Sequence, residues 1–271
     1  MYIRDRYLYG SYRINNNQTI YSENELRIIH TYFNQKDKWT KKSIENTVTM
    51  GSSNLITVFP ETSLGLNPSR PANWLVGYIR RDQNKFYNSI NYNGFTYDKK
   101  ILVPFGEYFP LSSLVNILFS ENKFFENELT KGSSDQVFKA NILPLICYEV
   151  IFPNFVRNSI SNNTNLLVNI SNDGWFGNFS GPRQHFTHAL FRSIELGIPL
   201  VRSSNKGFSG LISPIGEILN VTNIGKTTYL DVKIPEKLET TVYREYGNLL
   251  AYFLIVLFFI IGYAIRFKQN S

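Results

Sequence analysis

Apolar residues fall along this chain in short bursts between polar, turn-forming stretches, until one long uninterrupted run near the C-terminus. Leu26 to Tyr32 (LRIIHTY) has strand character, Lys42 to Met50 the spacing of a short helix, and Asn54 to Phe59 (NLITVF) that of a second strand. Such a β-α-β opening predicts parallel pairing early in a sheet. Trp74 to Ile79 and Phe86 to Tyr92, joined by polar Arg80 to Asn84, predict an antiparallel pair. Leu111 to Phe125 reads as helix and loop, and Gln136 to Ile142 as a strand leading towards Pro144-Leu145-Ile146-Cys147. Asn165 to Ile170 (NLLVNI) is a further strand, followed by the polar loop Ser171 to Gly177. Pro182 to Leu196 has helical spacing, with Pro182 suited to a first turn. Pro199 to Arg202, Phe208 to Ser213 and Thr228 to Val232 complete the strands, with Pro214 to Glu217 a turn. No internal repeat interrupts residues 24–235, which read as one mixed α/β domain after a polar lead-in over 1–23.

The terminal run changes this picture. Leu249 to Ile265 (LLAYFLIVLFFIIGYAI) carries no charge over about 17 residues, the lower limit for spanning a hydrocarbon core. Tyr252, Tyr263, Arg266 and Lys268 sit where interfacial anchors would, so a transmembrane helix is predicted over 249–265, with a connector over 236–248 and a tail over 266–271. Lys237 and Arg244 on the other side nearly balance the positive-inside signal. Met1 to Gln18 has no apolar h-region, so no signal peptide is predicted. Hydrophobic residues make up 43% and aromatics 15% of the 271 positions, a globular composition. The net charge of +7 is spread in pairs such as Arg80-Arg81 and Lys99-Lys100, without a basic block. That distribution gives nucleic-acid binding little support and fits attraction to anionic lipid as well.

Cys147 is the only cysteine, so no intramolecular disulfide is available. It stands where an apolar strand stops, a position that can present a nucleophile. A free cysteine in such a strand is also commonly an inert buried hydrophobe. Two other reactive residues share its context: Glu61 follows LITVFP, and Lys99 precedes ILVPFG. Groups at strand ends of an α/β sheet converge at one edge. A carboxylate there can take a thiol proton, and a lysine can stabilise an oxyanion. Glu61 and Lys99 as a structural ion pair is the competing reading. His30, His185 and His188 form no ligand cluster and read as structural, and no metal or organic cofactor is expected. Asn172 and Asp173 read as loop-shaping residues, Glu195 as a supporting contact, and Trp175 and Phe176 as packing or as the lining of a substrate path.

The pieces FPETS (59–63), YDKKILVPFGEYFP (97–110) and PLICYE (144–149) resemble the three active-site motifs of the nitrilase, or carbon–nitrogen hydrolase, superfamily. The form LVPFGEY is similar to its apolipoprotein N-acyltransferase branch, and NISNDGWFG, GPRQH and RSIELGIPLVRSSNKG extend the likeness over roughly residues 25 to 265. The resemblance implies an αββα sandwich with a C-terminal transmembrane helix. It implies Glu61 as general base, Lys99 as oxyanion-stabilising lysine and Cys147 as nucleophile. Glu107, Tyr148 and Glu149 match supporting positions, and Lys99 is preferred to Lys100 because it stands eight residues before Glu107. The implied reaction moves an acyl chain from phospholipid, through a cysteine thioester, to the diacylglyceryl-cysteine at the start of a lipoprotein. It implies a bacterial inner-membrane location with the domain on the periplasmic side. Members of the branch carry several membrane helices ahead of this domain, so a truncated or split form is expected, with a separate N-terminal membrane half as candidate partner. A small-amide amidase and an inactive fragment are the rival readings.

Overall fold

The computed structural model describes residues 21–34, 41–51, 54–63, 71–110, 128–133, 141–177, 180–222 and 224–270. Their strands are β1 (Tyr21–His30), β2 (Ile56–Val58), β3 (Trp74–Asp82), β4 (Lys85–Tyr92), β5 (Phe95–Asp98), β6 (Ile142–Ile146), β7 (Leu166–Asn172), β8 (Leu200–Asn205), β9 (Gly210–Ile212), β10 (Ile218–Val221) and β11 (Thr228–Pro235). The α-helices are α1 (Lys41–Gly51), α2 (Pro153–Ser159), α3 (Gly181–Leu196), α4 (Val242–Tyr246) and α5 (Leu249–Asn270).

Two sheets form, in the orders β11-β1-β2-β3-β4-β5 and β10-β9-β8-β7-β6. Pairing is parallel through β1, β2 and β3 in the first and through β6, β7 and β8 in the second. Alternation along the strands divides the apolar residues between two faces. Leu26, Ile28, Val58, Leu75 and Ile90 of the first sheet meet Ile146, Val168, Ile170, Val201 and Leu211 of the second in one core cluster. The opposite face of the second sheet (Leu143, Leu145, Leu167, Leu200) packs on Val156 of α2 and Phe186, Ala189 and Leu196 of α3. Met50 of α1 covers Ile29, Phe59, Trp74 and Val76 on the outer face of the first sheet. The architecture is therefore an αββα sandwich whose parallel strands end on one edge.

Several expectations change. β3 runs on to Asp82, so its turn is only Gln83-Asn84 rather than Arg80 to Asn84; Gln83 adopts φ +51, which a two-residue hairpin turn demands. A strand over Ile218–Val221 follows the Pro214–Glu217 turn and was not predicted, because its residues are mostly exposed and show no clean alternation. The expected helix and loop over Leu111 to Phe125 lies outside the described residues, as does most of the expected strand over Gln136 to Ile142. Most of the lead-in also lies outside them, and β1 already begins at Tyr21.

The connector is bound to the domain. Arg157 of α2 donates to the carbonyls of Tyr243 (3.0 Å), Arg244 (2.9 Å) and Glu245 (2.6 Å), and Lys237 Nζ donates to those of Asn162 and Thr164. Beyond it, Leu249–Asn270 is helical, and its large apolar side chains from Leu249 to Phe259 are exposed. Among the described residues, however, no helix is long and apolar enough to cross a membrane. The transmembrane expectation is corrected accordingly. Roughly 17 apolar residues rising ~1.5 Å each give about 26 Å, short of the ~30 Å hydrocarbon core.

Candidate active site

Three strand ends supply the site. β2 stops at Val58, and the chain turns at Glu61, Thr62 and Ser63. Glu61 is 5% exposed, and its turn lies against β3, where the Ser63 N–H donates to the Gly77 carbonyl at 3.0 Å. A Cβ on Gly77 would come within 2.8 Å of the Thr62 nitrogen and 2.9 Å of the Glu61 Cα, so only glycine lets the turn approach. β5 ends at Asp98, which Arg80 of β3 grips at 2.7 and 3.1 Å and Ser89 of β4 at 2.5 Å. The next residue, Lys99, is thereby held inward at 1% exposure. Lys100 turns away, with its ammonium over the Tyr97 ring at 5.4 Å.

β6 ends at Ile146, and Cys147 opens a 3-10 turn, Cys147–Ile151, with φ +48. A left-handed conformation at a non-glycine residue costs about 1–3 kcal/mol and persists only where surrounding contacts fix it. Glu149 is one such contact. Fully buried, it accepts from Ile146 N–H (2.7 Å) through one oxygen and from Lys100 N–H (2.6 Å), Tyr97 O–H (2.9 Å) and Ile101 N–H (3.3 Å) through the other. Glu149 thus ties the Cys147 turn to the strand end that carries Lys99. Burial pushes its carboxyl up, against the pull of those donors. Tyr148 is half-buried and packs edge-on against Phe152, ring centroids 4.9 Å apart.

The side chains meet in a buried cluster. Lys99 Nζ lies 2.7 Å from Glu107 Oε1 and 3.7 Å from Glu61 Oε1. Asn88 of β4 donates to Glu61 Oε1 at 2.6 Å and, more weakly, to Glu107 Oε1 at 3.4 Å. The Asn172 N–H donates to the other Glu61 oxygen at 2.8 Å, and the Val103 N–H to the other Glu107 oxygen at 2.8 Å. Two carboxylates thus share one lysine. Burial opposes the charge of Lys99, but Glu61, Cys147 and Glu107 together outweigh it and raise its pKa. Burial, with Glu61 close by, pushes the Cys147 thiol up to about 12, while Lys99 pulls it down. A bare thiolate facing two carboxylates is costly; transferring the thiol proton to Glu61 moves the negative charge without adding to it.

A second buried cluster lies behind the sulfur. Asp173, wholly buried, accepts from Ser171 Oγ (2.6 Å), His185 Nδ1 (2.9 Å) and Arg202 Nη2 (2.8 and 2.9 Å). Ser171 Oγ is 3.5 Å from Cys147 Sγ, and His185 Nε2 is 3.0 Å from the Cys147 carbonyl. Burial raises the Asp173 carboxyl, but Arg202 and His185 hold it well below the usual range. A Cβ at Gly207 would come within 1.9 Å of Asp173 Oδ2, so glycine is needed there to admit the carboxylate. These are not loop-shaping residues: Asn172 closes β7, and Asp173 is a buried anion. The readable signal was Arg202, a charge inside the apolar strand LVRSSN that requires a buried partner. Asn88 and Ser171 gave no such signal, because polar residues in strands usually face solvent. Trp175 is 72% exposed, and Phe176 packs edge-on against His185 at 5.6 Å. Glu195 pairs with Arg192 at 2.6 Å.

A glutamate, a lysine and a cysteine at converging strand ends of an αββα sandwich define a class, and the chain belongs to it: the carbon–nitrogen hydrolase family model matches residues 72–243. Within that family the chain is similar to the apolipoprotein N-acyltransferase of Rickettsia bellii (strain RML369-C), with 30% identity across 96% of this chain and 59% of that protein. It is 31% identical to the apolipoprotein N-acyltransferase of Rickettsia prowazekii (strain Madrid E), across 94% of this chain and 58% of that protein. The chain therefore spans about three fifths of the length of these curated relatives. In fold it is similar to Saccharomyces cerevisiae Nit3, a member of branch 10 of the nitrilase superfamily (TM-score 0.56, 14% identity, 82% of this chain and 93% of that one).

Proposed function

We propose that this chain carries the catalytic domain of an apolipoprotein N-acyltransferase, a membrane-associated enzyme of lipoprotein maturation. Its acyl donor is phospholipid and its acceptor the free α-amino group of a lipoprotein's N-terminal diacylglyceryl-cysteine. The observation that carries this reading is the buried Lys99, held between Glu61 and Glu107 beside a left-handed Cys147. In this reading Glu61 takes the thiol proton and Cys147 attacks the phospholipid ester. Lys99, with a backbone N–H, stabilises the oxyanion, and as the tetrahedral intermediate collapses to a thioester Glu61 returns the proton to the departing oxygen, which leaves as lysophospholipid. The lipoprotein amine then attacks the thioester through a second oxyanion at the same donors and loses its proton to Glu61 as the thiol re-forms. Glu107 holds Lys99 in place, Glu149 holds the Cys147 turn, and Tyr148 borders it. No step calls for a metal or an organic cofactor.

The exposed apolar length of α5 supports attachment to a lipid surface, where its side chains would leave water. Because Arg157 pins the preceding connector, α5 would hold the domain at a defined distance from that surface. A cavity of about 510 Å³ beside the Asp173–Phe176 turn, lined by Tyr32, Arg183, Lys206 and Phe208 but not by Glu61, Lys99 or Cys147, carries two cationic side chains that would suit an anionic headgroup. We place the protein at the bacterial inner membrane with its domain on the periplasmic side, and a separate N-terminal membrane half as a partner. The test is incubation of the detergent-solubilised chain, with and without such a half, with phospholipid and a diacylglyceryl-cysteine peptide. N-acylated peptide by mass spectrometry, lost in Cys147→Ala, is the expected result. Turnover of small amides without peptide acylation would favour an amidase, and no turnover of either would overturn both readings.

A further inference from the structure

The reading of Cys147 as nucleophile, on which this inference rests, requires something to receive the charge when a buried sulfur loses its proton. Glu61 and Lys99 act on it through their charges, and Ser171 Oγ lies 3.5 Å from it. Its hydroxyl has a single proton and two acceptors within reach, Asp173 Oδ1 at 2.6 Å and Cys147 Sγ at 3.5 Å. The short contact takes the proton, so in the thiol state Ser171 presents only a lone pair to the S–H. Asp173 does not depend on that proton, because Arg202 binds both of its oxygens and His185 a third time at 2.9 Å. His185 is itself fixed at its far end. Its Nε2 lies 3.0 Å from the Cys147 carbonyl, on the residue whose backbone is left-handed.

We propose that Ser171 is a positioning residue that switches acceptors during the reaction. When the S–H bond breaks and an O–H bond forms on Glu61, the sulfur becomes the anion and Glu61 becomes neutral. The Ser171 hydroxyl keeps its own proton and rotates about its C–O bond from Asp173 to the thiolate. Asp173, still held by Arg202 and His185, is the parking position that keeps this hydroxyl ordered and within reach. The thiol, which burial drives up to about 12, gains a donor only in the state that needs one. That is the economical form of stabilisation, since a donor committed in the ground state would add nothing to reactivity.

Alkylation of Cys147 by iodoacetamide tests this without requiring acyl transfer. The full chain in detergent is followed by intact mass between pH 7 and pH 9, where the rate tracks the thiolate fraction. Loss of a hydrogen bond to a charged atom predicts that Ser171→Ala is alkylated about tenfold more slowly throughout, its profile displaced about one pH unit upward. Ser171→Thr, where it melts like the parent, is expected to recover most of that loss. A Ser171→Ala profile that overlays the parent's overturns the proposal, as does a well-folded Ser171→Thr as slow as the alanine variant. A displaced alkylation profile in a chain that never acylates peptide would sink the acyltransferase reading and leave this inference standing.

Discussion

Two buried charge clusters flank Cys147, and they are built on opposite rules. On the Glu61 side, two carboxylates share Lys99, which sits 2.7 Å from one and 3.7 Å from the other. The Asn88 side-chain oxygen there has no hydrogen-bond partner among the described residues. On the Asp173 side, each carboxylate oxygen meets Arg202, and Ser171 and His185 complete the shell. A carboxylate surrounded by donors is locked into one charge state, whereas one that shares its cation can accept a proton during a reaction. The first cluster is therefore suited to chemistry and the second to holding the nucleophile.

Breaking the first cluster is expected to have the largest effect. Glu61→Gln keeps the shape but cannot take a proton, and acyl-enzyme formation should fall by about 10²–10⁴-fold, the usual contribution of a general base. Rapid-quench mass spectrometry would measure it, and a loss below tenfold would remove Glu61 from that role. Breaking the second should appear first as instability. Asp173→Asn leaves Arg202, which has no exposure, without its counter-charge, and about 3–5 kcal/mol should be lost in urea unfolding.

His30, at the end of β1, sharpens the same contrast. It is buried, with Nδ1 2.9 Å from Ser209 Oγ, and burial lowers its pKa from 6.5 to about 4. Between those values the unfolded chain binds a proton that the folded chain refuses. The contribution is complete above pH 6.5 and is lost as pH falls towards about 4, amounting to about 3 kcal/mol. A melting temperature that declines across that window, and less so in His30→Asn, is the expected outcome; equal declines would exclude His30 as the cause. The smallest effect is expected at Asn88. Asn88→Ala removes one donor from Glu61, and acylation should fall about tenfold at neutral pH. A rate equal to the parent's would show that Asn88 only fills space.

The same contrast explains what was legible in the sequence. Glu61 and Cys147 could be singled out because each follows an apolar run that forms a parallel strand, and such strand ends gather on one edge; Lys99 instead follows the antiparallel β5, and the apolar run after it, Ile101 to Val103, forms no strand. The parallel opening and the long helix over 181–196 were readable from period and capping. The Asp173 cluster was not, because its members come from β7, the turn after it, α3 and β8 and are adjacent only once the sheet registers. Ser171 and Asn205 look like solvent-facing strand residues in one dimension, yet neither has any exposure. The helix over Leu249–Asn270 was legible as a helix, but its apolar length gave no spanning segment among the described residues.

The most direct measurement of the central claim is the intact mass of the chain after brief exposure to a defined phospholipid, without any acceptor. If Cys147 is the acyl-carrying nucleophile, the mass rises by one acyl chain, hydroxylamine at neutral pH removes it, and Cys147→Ala never shows it. An unmodified mass under conditions where iodoacetamide still reaches the thiol, or an adduct that survives in Cys147→Ala, would contradict the account.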